Sequence, residues 1–113
     1  MKLVNLTPHR LVVLDAAGGT VLALPPCPRP PRIEQLVIET TVLEEADVPL
    51  DTIRYGKVSR ELPAPEPGVL LVVPRVLARE VLRDDLVFPD REVRDADGRI
   101  IACRTLARFA TDR

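Results

Sequence analysis

Hydrophobic and polar positions along the chain read as short strands broken by proline and glycine, with one helical stretch. Residues 2–6 and 10–15 carry strand-like runs of Leu and Val, separated by a bend at Thr7-Pro8-His9 that Pro8 imposes. Asp15-Ala16-Ala17-Gly18-Gly19 supplies residues that tolerate positive φ, so 10–15 and 20–24 are expected to pair as a hairpin. Five prolines between Pro25 and Pro31 remove ladder donors and predict an extended, polyproline-like connector on the surface. Beyond it, Leu36, Ile38 and the pair Val42/Leu43 fit a strand with a polar face. An irregular acidic loop through Val48-Pro49 follows, then a strand carrying Arg54, Tyr55-Gly56, Lys57 and Arg60.

Leu62–Gly68 is a second stiff loop, and it leads into Val69–Val73, an unbroken apolar run of the kind found in strands buried on both faces. Pro74 suits a helix start, and Leu77 and Val81 lie four apart, which predicts the main helix at about 75–83. That spacing sets Arg75, Arg79 and Arg83 along one side of the helix. Leu86–Phe88 returns as a short strand, making 69–88 a strand–helix–strand unit with a right-handed crossover. Glu92–Asp95 and Arg99–Ala107 flank Ala96-Asp97-Gly98 as a C-terminal β-hairpin, whose Asp-Gly signals a type I′ turn. The expected fold is a small α/β or α+β domain over residues 1–113, rich in short strands. Exposed strand edges in so small a sheet protein predict a homodimer or higher assembly.

Composition narrows the functional classes. With 113 residues, 46% hydrophobic and 29% charged, the chain suits one packed domain and excludes wholesale disorder. A net charge of −1 argues against a dedicated non-specific nucleic-acid binder. Tyr55, Phe88 and Phe109 are the only aromatics, so the core is aliphatic and stacking platforms for bases are scarce. Apolar runs such as Val69–Pro74 fall far short of the roughly 20 residues needed to cross a bilayer, and Met1–Asn5 shows no leader pattern. The expectation is a cytoplasmic protein without membrane contact. Cys27 and Cys103 lack metal-ligand spacing, and no metal or cofactor is expected. A single bridge between them stays open, although two free thiols suit a chain without a secretion signal. Between residues 33 and 53 there are six carboxylates and no Lys or Arg. The basic residues that follow either pair with them across neighbouring strands or line a channel for a charged ligand.

Three groups bear on chemistry. Asn5-Leu6-Thr7-Pro8-His9 packs an amide, a hydroxyl and the one histidine into a single bend. The end of the Val69–Val73 strand opens into a helix N-terminus beside Arg75, an arrangement that favours anions, although Val73-Pro74-Arg75-Val76 lacks the glycines of a phosphate loop. Arg83-Asp84-Asp85, Asp90-Arg91, Arg94-Asp95 and Asp97-Gly98-Arg99 alternate carboxylate and guanidinium, which favours internal ion pairs over a cation site.

Asn5-Leu6-Thr7-Pro8-His9, Tyr55-Gly56-Lys57-Val58 with Leu62-Pro63, and Arg94-Asp95-Ala96-Asp97-Gly98-Arg99-Ile100-Ile101-Ala102-Cys103 together resemble an uncharacterised family of small proteins from bacteria and their phages. That family opens on Asn-Leu-Thr-Pro-His and closes on Arg-Asp…Gly-Arg-Ile-Ile-Gly-Cys. The resemblance spans nearly the whole chain and carries no activity. Two positions depart from it: Val73-Pro74 stands where the family often has Val-Ser, and Ala102 where it often has Gly. It implies that Thr7, His9, Tyr55, Arg94, Asp95 and Arg99 belong together, as a pocket drawn from distant segments would require.

The function expected from the sequence is non-enzymatic sensing or sequestration of a small anionic ligand, first of all a nucleotide or nucleotide-derived signal. His9, Tyr55, Lys57, Arg75, Arg94 and Arg99 would contact phosphates and a base, Thr7 would donate a hydroxyl hydrogen bond, and Asp95 completes the group. The alternatives are a phage or bacterial accessory protein acting through protein–protein assembly, and a small hydrolase pairing His9 with Asp95 or Asp85. Cys103 as a nucleophile beside His9 is the weaker form of the last, since strand alternation favours a buried thiol there.

Overall fold

The computed structural model describes residues 1–58 and 61–112, built from eight strands and one α-helix. Strands β1 (Lys2–Asn5), β2 (Leu11–Leu14), β3 (Thr20–Leu24), β6 (Val69–Val72), β7 (Leu86–Arg94) and β8 (Ile100–Ala107) form one sheet in the order β1-β6-β7-β8-β2-β3. The remaining strands, β4 (Ile33–Val42) and β5 (Pro49–Val58), form a separate antiparallel ribbon. Helix α1 (Arg75–Val81) lies between β6 and β7, which pair in parallel. One seven-residue helix is too short to build a second layer, so the domain is sheet-dominated rather than a layered α/β fold.

The central strands are buried on both sides, and their alternation divides the core in two. Leu71, Val73, Leu86 and Phe88 face α1 and pack with its Leu77 and Ala78. The intervening residues Val72 and Val87 turn the other way, where they meet Leu11 and Cys103 with Leu3, Val13, Leu22, Leu24, Leu70 and Leu106 around them. All six strands contribute to this second cluster, which requires the sheet to curl around it into a nearly closed barrel. The two edge strands are tied across the gap: Asn5 at the end of β1 donates from Nδ2 to the Pro25 carbonyl just past β3, at 2.9 Å. The Cys27 amide donates to the Thr7 carbonyl at 2.8 Å.

Two turns have the same chemistry. In Asp15-Ala16-Ala17-Gly18-Gly19 and Asp95-Ala96-Asp97-Gly98-Arg99, the glycine amide donates to the aspartate carbonyl, at 3.1 and 3.0 Å. Each aspartate Oδ1 accepts the amides two and four residues on. The glycines sit at φ +89° and +80°, whereas Asp97 is not in the left-handed region. A type I′ turn needs positive φ at both central residues, so the expected Asp97-Gly98 turn is instead a type I turn followed by a left-handed glycine. In both hairpins the strand register shifts at the residue before the aspartate, Leu14 and Arg94.

Other expectations change in detail. Residues 2–6 and 10–15 shorten to β1 and β2, which do not pair with each other. The helix stops at Val81, with Leu82 left-handed at φ 54°, so Arg83 leaves the row formed by Arg75 and Arg79. Leu86–Phe88 and Glu92–Asp95 merge into the single strand β7, because Pro89 and Asp90 stay in register with Leu106 and Thr105. Within the proline-rich connector Pro31 is buried rather than at the surface. The ribbon β4–β5 juts from the body, which leaves a radius of gyration of 17.0 Å against roughly 13 Å for a compact chain of this length.

Candidate functional site

Asn5 organises the bend between β1 and β2. Its Oδ1 accepts the Thr7 amide at 3.0 Å and the Thr7 hydroxyl at 2.7 Å, while its Nδ2 donates to the carbonyls of His9 and Pro25. The Thr7 Oγ1 also lies 3.0 Å from the His9 carbonyl. A hydroxyl has one proton, so it donates to one of these oxygens at a time. Thr7 is buried and wholly engaged in this knot. It therefore positions the loop, and the ligand hydrogen bond expected of its hydroxyl has no free donor to supply it.

The knot projects the exposed side chains of His9 and Arg10 over a cleft of about 820 Å³. Leu11, Val12, Ala102 and Cys103 from β2 and β8 form its floor, and Pro8, Pro74, Pro89, Ile100 and Ile101 its walls. Arg32 and Glu92 also line it. Neither the His9 nor the Arg10 side chain enters a hydrogen bond or ion pair among the described residues. The cleft thus combines an apolar floor with a mainly cationic rim, a combination that accepts a ligand with an apolar body and an anionic end.

Cys103 is 2% exposed in the cleft floor, and burial pushes its thiol above the ordinary range. Such a thiol is disfavoured as a thiolate nucleophile. Asp85 is held by Arg83 through two hydrogen bonds of 2.9 and 2.6 Å, and the Arg83 Nη2 also donates to the Pro63 carbonyl at 2.8 Å. The guanidinium hydrogen bonds lower the Asp85 carboxyl below its ordinary range and raise Arg83. Asp95 is occupied by turn amides. Neither carboxylate bonds His9 among the described residues.

The remaining residues expected at the site are dispersed. Arg94 donates to the Gly98 carbonyl at 2.7 Å and lies 3.5 Å from Glu92, so with Asp95 it builds the β7–β8 turn. Arg99 is exposed at that turn, next to Ile100 of the cleft wall. Arg75 sits beside the cleft residue Pro74 but stacks over Phe88 and Phe109 at 5.0 and 5.7 Å, with Asp90 at 3.8 Å. Tyr55 and Lys57 belong to β5 on the jutting ribbon. Arg54 and Lys57 form no ion pair with the acidic block among the described residues, and the register sets Leu36, not a carboxylate, opposite Arg54. Arg60, expected in the same basic block, lies outside the described residues.

Of the expected set, then, only Thr7 and His9 line the cleft, while the cleft residues Arg10 and Arg32 were missed. Adjacency to the His9 bend was the available signal for Arg10. Arg32 had none beyond its position at the end of the proline connector. Compared with known protein families, with curated proteins and with solved structures, the chain finds no match in any of the three.

Proposed function

We propose that the chain binds a small ligand with an apolar body and an anionic group in the cleft at the end of the sheet, without transforming it. A nucleotide or nucleotide-derived signal is the first candidate. The observation that supports this reading is the pair of exposed side chains, His9 and Arg10, held over an apolar floor by a fully bonded backbone knot. A loop fixed in this way loses little entropy when a ligand arrives, so charge-assisted bonds from Arg10, with the His9 ring beside it, contribute nearly their full strength. The cleft volume of about 820 Å³ falls within the usual range for small-molecule sites.

The test is a thermal-shift and calorimetric screen of nucleotides, sugar phosphates and aromatic carboxylates at up to about millimolar concentration, the weak-binding limit. A ligand that raises the melting temperature should lose roughly tenfold or more in affinity with Arg10→Ala, from the about 1.5–3 kcal/mol of a charged hydrogen bond. Arg79→Ala, on the helix away from the cleft lining, should leave affinity unchanged. Absence of any shift across the screen, or equal losses with both variants, overturns the assignment of this cleft.

A further inference from the structure

Among the described residues that line the cleft, Glu92 alone carries a carboxylate, against Arg10, Arg32 and the His9 ring. Its place there is not what a regular strand would give. Pro89 and Glu92 both line the cleft although they stand three apart in β7, and plain alternation would send them to opposite faces. Between them Arg91 is left-handed, at φ 50°, a conformation that a non-glycine residue rarely takes and that shifts the alternation by one. Glu92 is also little used by the protein itself. Arg94 lies 3.5 Å away in an exposed pair of small worth and gives its short hydrogen bond to the Gly98 carbonyl instead. The Glu92 side chain makes no hydrogen bond among the described residues.

The register places this carboxylate relative to Arg10. Glu92 lies opposite Cys103 and Cys103 opposite Val13, so Glu92 is two strands from β2, while Arg10 stands three residues before Val13. Strand spacing and rise make each offset roughly 10 Å, which sets the two backbones about 14 Å apart. With both side chains reaching inward, a nucleoside monophosphate spans that gap from phosphate to base edge. A carboxylate only accepts hydrogen bonds and repels phosphate. The anionic end of the ligand therefore goes to Arg10, and the other end must present donors. Of the common bases only guanine has two adjacent donors on its pairing edge, N1–H and the N2 amine, and these match the two oxygens of one carboxylate. Adenine and cytosine set a ring-nitrogen acceptor beside their amine, and uracil flanks its single N–H with carbonyls, so each turns a lone pair toward Glu92.

We propose that the nucleotide taken by this cleft is a guanine nucleotide, with Glu92 accepting from N1–H and the N2 amine and Arg10 holding the phosphate. The proposal rests on the reading of the cleft as a nucleotide site and adds the residue that selects the base.

Isothermal titration calorimetry of the full chain with guanosine, inosine and adenosine monophosphates is expected to rank them in that order. Inosine lacks the N2 amine and should bind roughly tenfold more weakly than guanosine, the worth of one charged hydrogen bond. That comparison needs no variant. Glu92→Gln should cut the ratio of guanosine to adenosine affinity by roughly tenfold or more, because a carboxamide accepts from the adenine amine and donates to its N1. Arg10→Ala should weaken all three alike and leave the ratio as it was. Equal affinities for the three nucleotides, or a ratio that survives Glu92→Gln, overturn the role of Glu92 while the cleft stands as a nucleotide site. Binding of none of the three overturns the nucleotide reading itself, and this proposal with it.

Discussion

Replacing Asn5 by Ala removes an acceptor of two hydrogen bonds and a donor of two, at 2.7–3.0 Å, from one side chain. A typical bond contributes about 0.5–1.5 kcal/mol net, which gives a loss of about 2–4 kcal/mol for the set when the two exposed Nδ2 bonds are taken at about 0.5 each. The upper half of that range is favoured because the Thr7 amide loses its side-chain acceptor at a buried residue. The chain has no Trp, so far-ultraviolet circular dichroism is the suitable probe of urea unfolding. With a slope of about 1.5 kcal/mol/M, the midpoint should fall by roughly 2–2.7 M at unchanged slope. Thr7→Val should cost about 1 kcal/mol, for the hydroxyl alone. Because the two residues share the 2.7 Å bond, the double variant should cost less than the two singles combined, by about 1 kcal/mol. A loss below about 1 kcal/mol for Asn5→Ala, or strict additivity in the cycle, would refute the account of Asn5 as the closure of the sheet.

Asp15→Ala and Asp95→Ala remove the same pair of amide contacts from matching turns, so each should cost about 1–2 kcal/mol by chemical denaturation, and the two losses should add. Gly18→Ala and Gly98→Ala should each lose about 1 kcal/mol or more to left-handed strain. Asp85 has a folded-state pKa below its unfolded value, so its contribution is present above about pH 4 and is lost as pH falls through the lowered folded value. Asp85→Asn should therefore lower stability at neutral pH by about 2 kcal/mol and flatten the acid limb of a stability–pH profile. With a chromogenic thiol reagent on native protein, the half-buried Cys27 should label first, and Cys103 only at the rate of opening.

Where a local rule sufficed, the sequence was legible. Val69–Val73 announced a doubly buried strand, Pro74 a helix start, and the glycines two hairpins, because each effect acts within a few residues. Long-range pairing was not legible. Lys2 pairs with Val69 and Val13 with Cys103, and nothing in either segment names its distant neighbour. The site failed for a related reason. Arg94, Asp95 and Arg99 were visible as charges, but the preferred partners of Arg94 and Asp95 are main-chain groups of their own turn, which residue types do not display. Asn5 lay in the motif that drew attention, yet the role of its carboxamide depends on Pro25, a carbonyl twenty residues on.

The register of β2 against β8 also sets an order of events as the chain is made. The hairpins β2–β3 and β7–β8 close over a few residues each, but β2 reaches its other neighbour only through Val13 and Cys103, ninety residues apart. Loop closure over that distance is slow and comes late. On the ribosome, the β2–β3 hairpin leaves the exit tunnel long before β8 is synthesised and waits with one apolar edge open. Translation of the last sheet strand is therefore the step that commits the barrel to fold, and a nascent chain stalled before Ile100 should remain sensitive to protease over its first 24 residues.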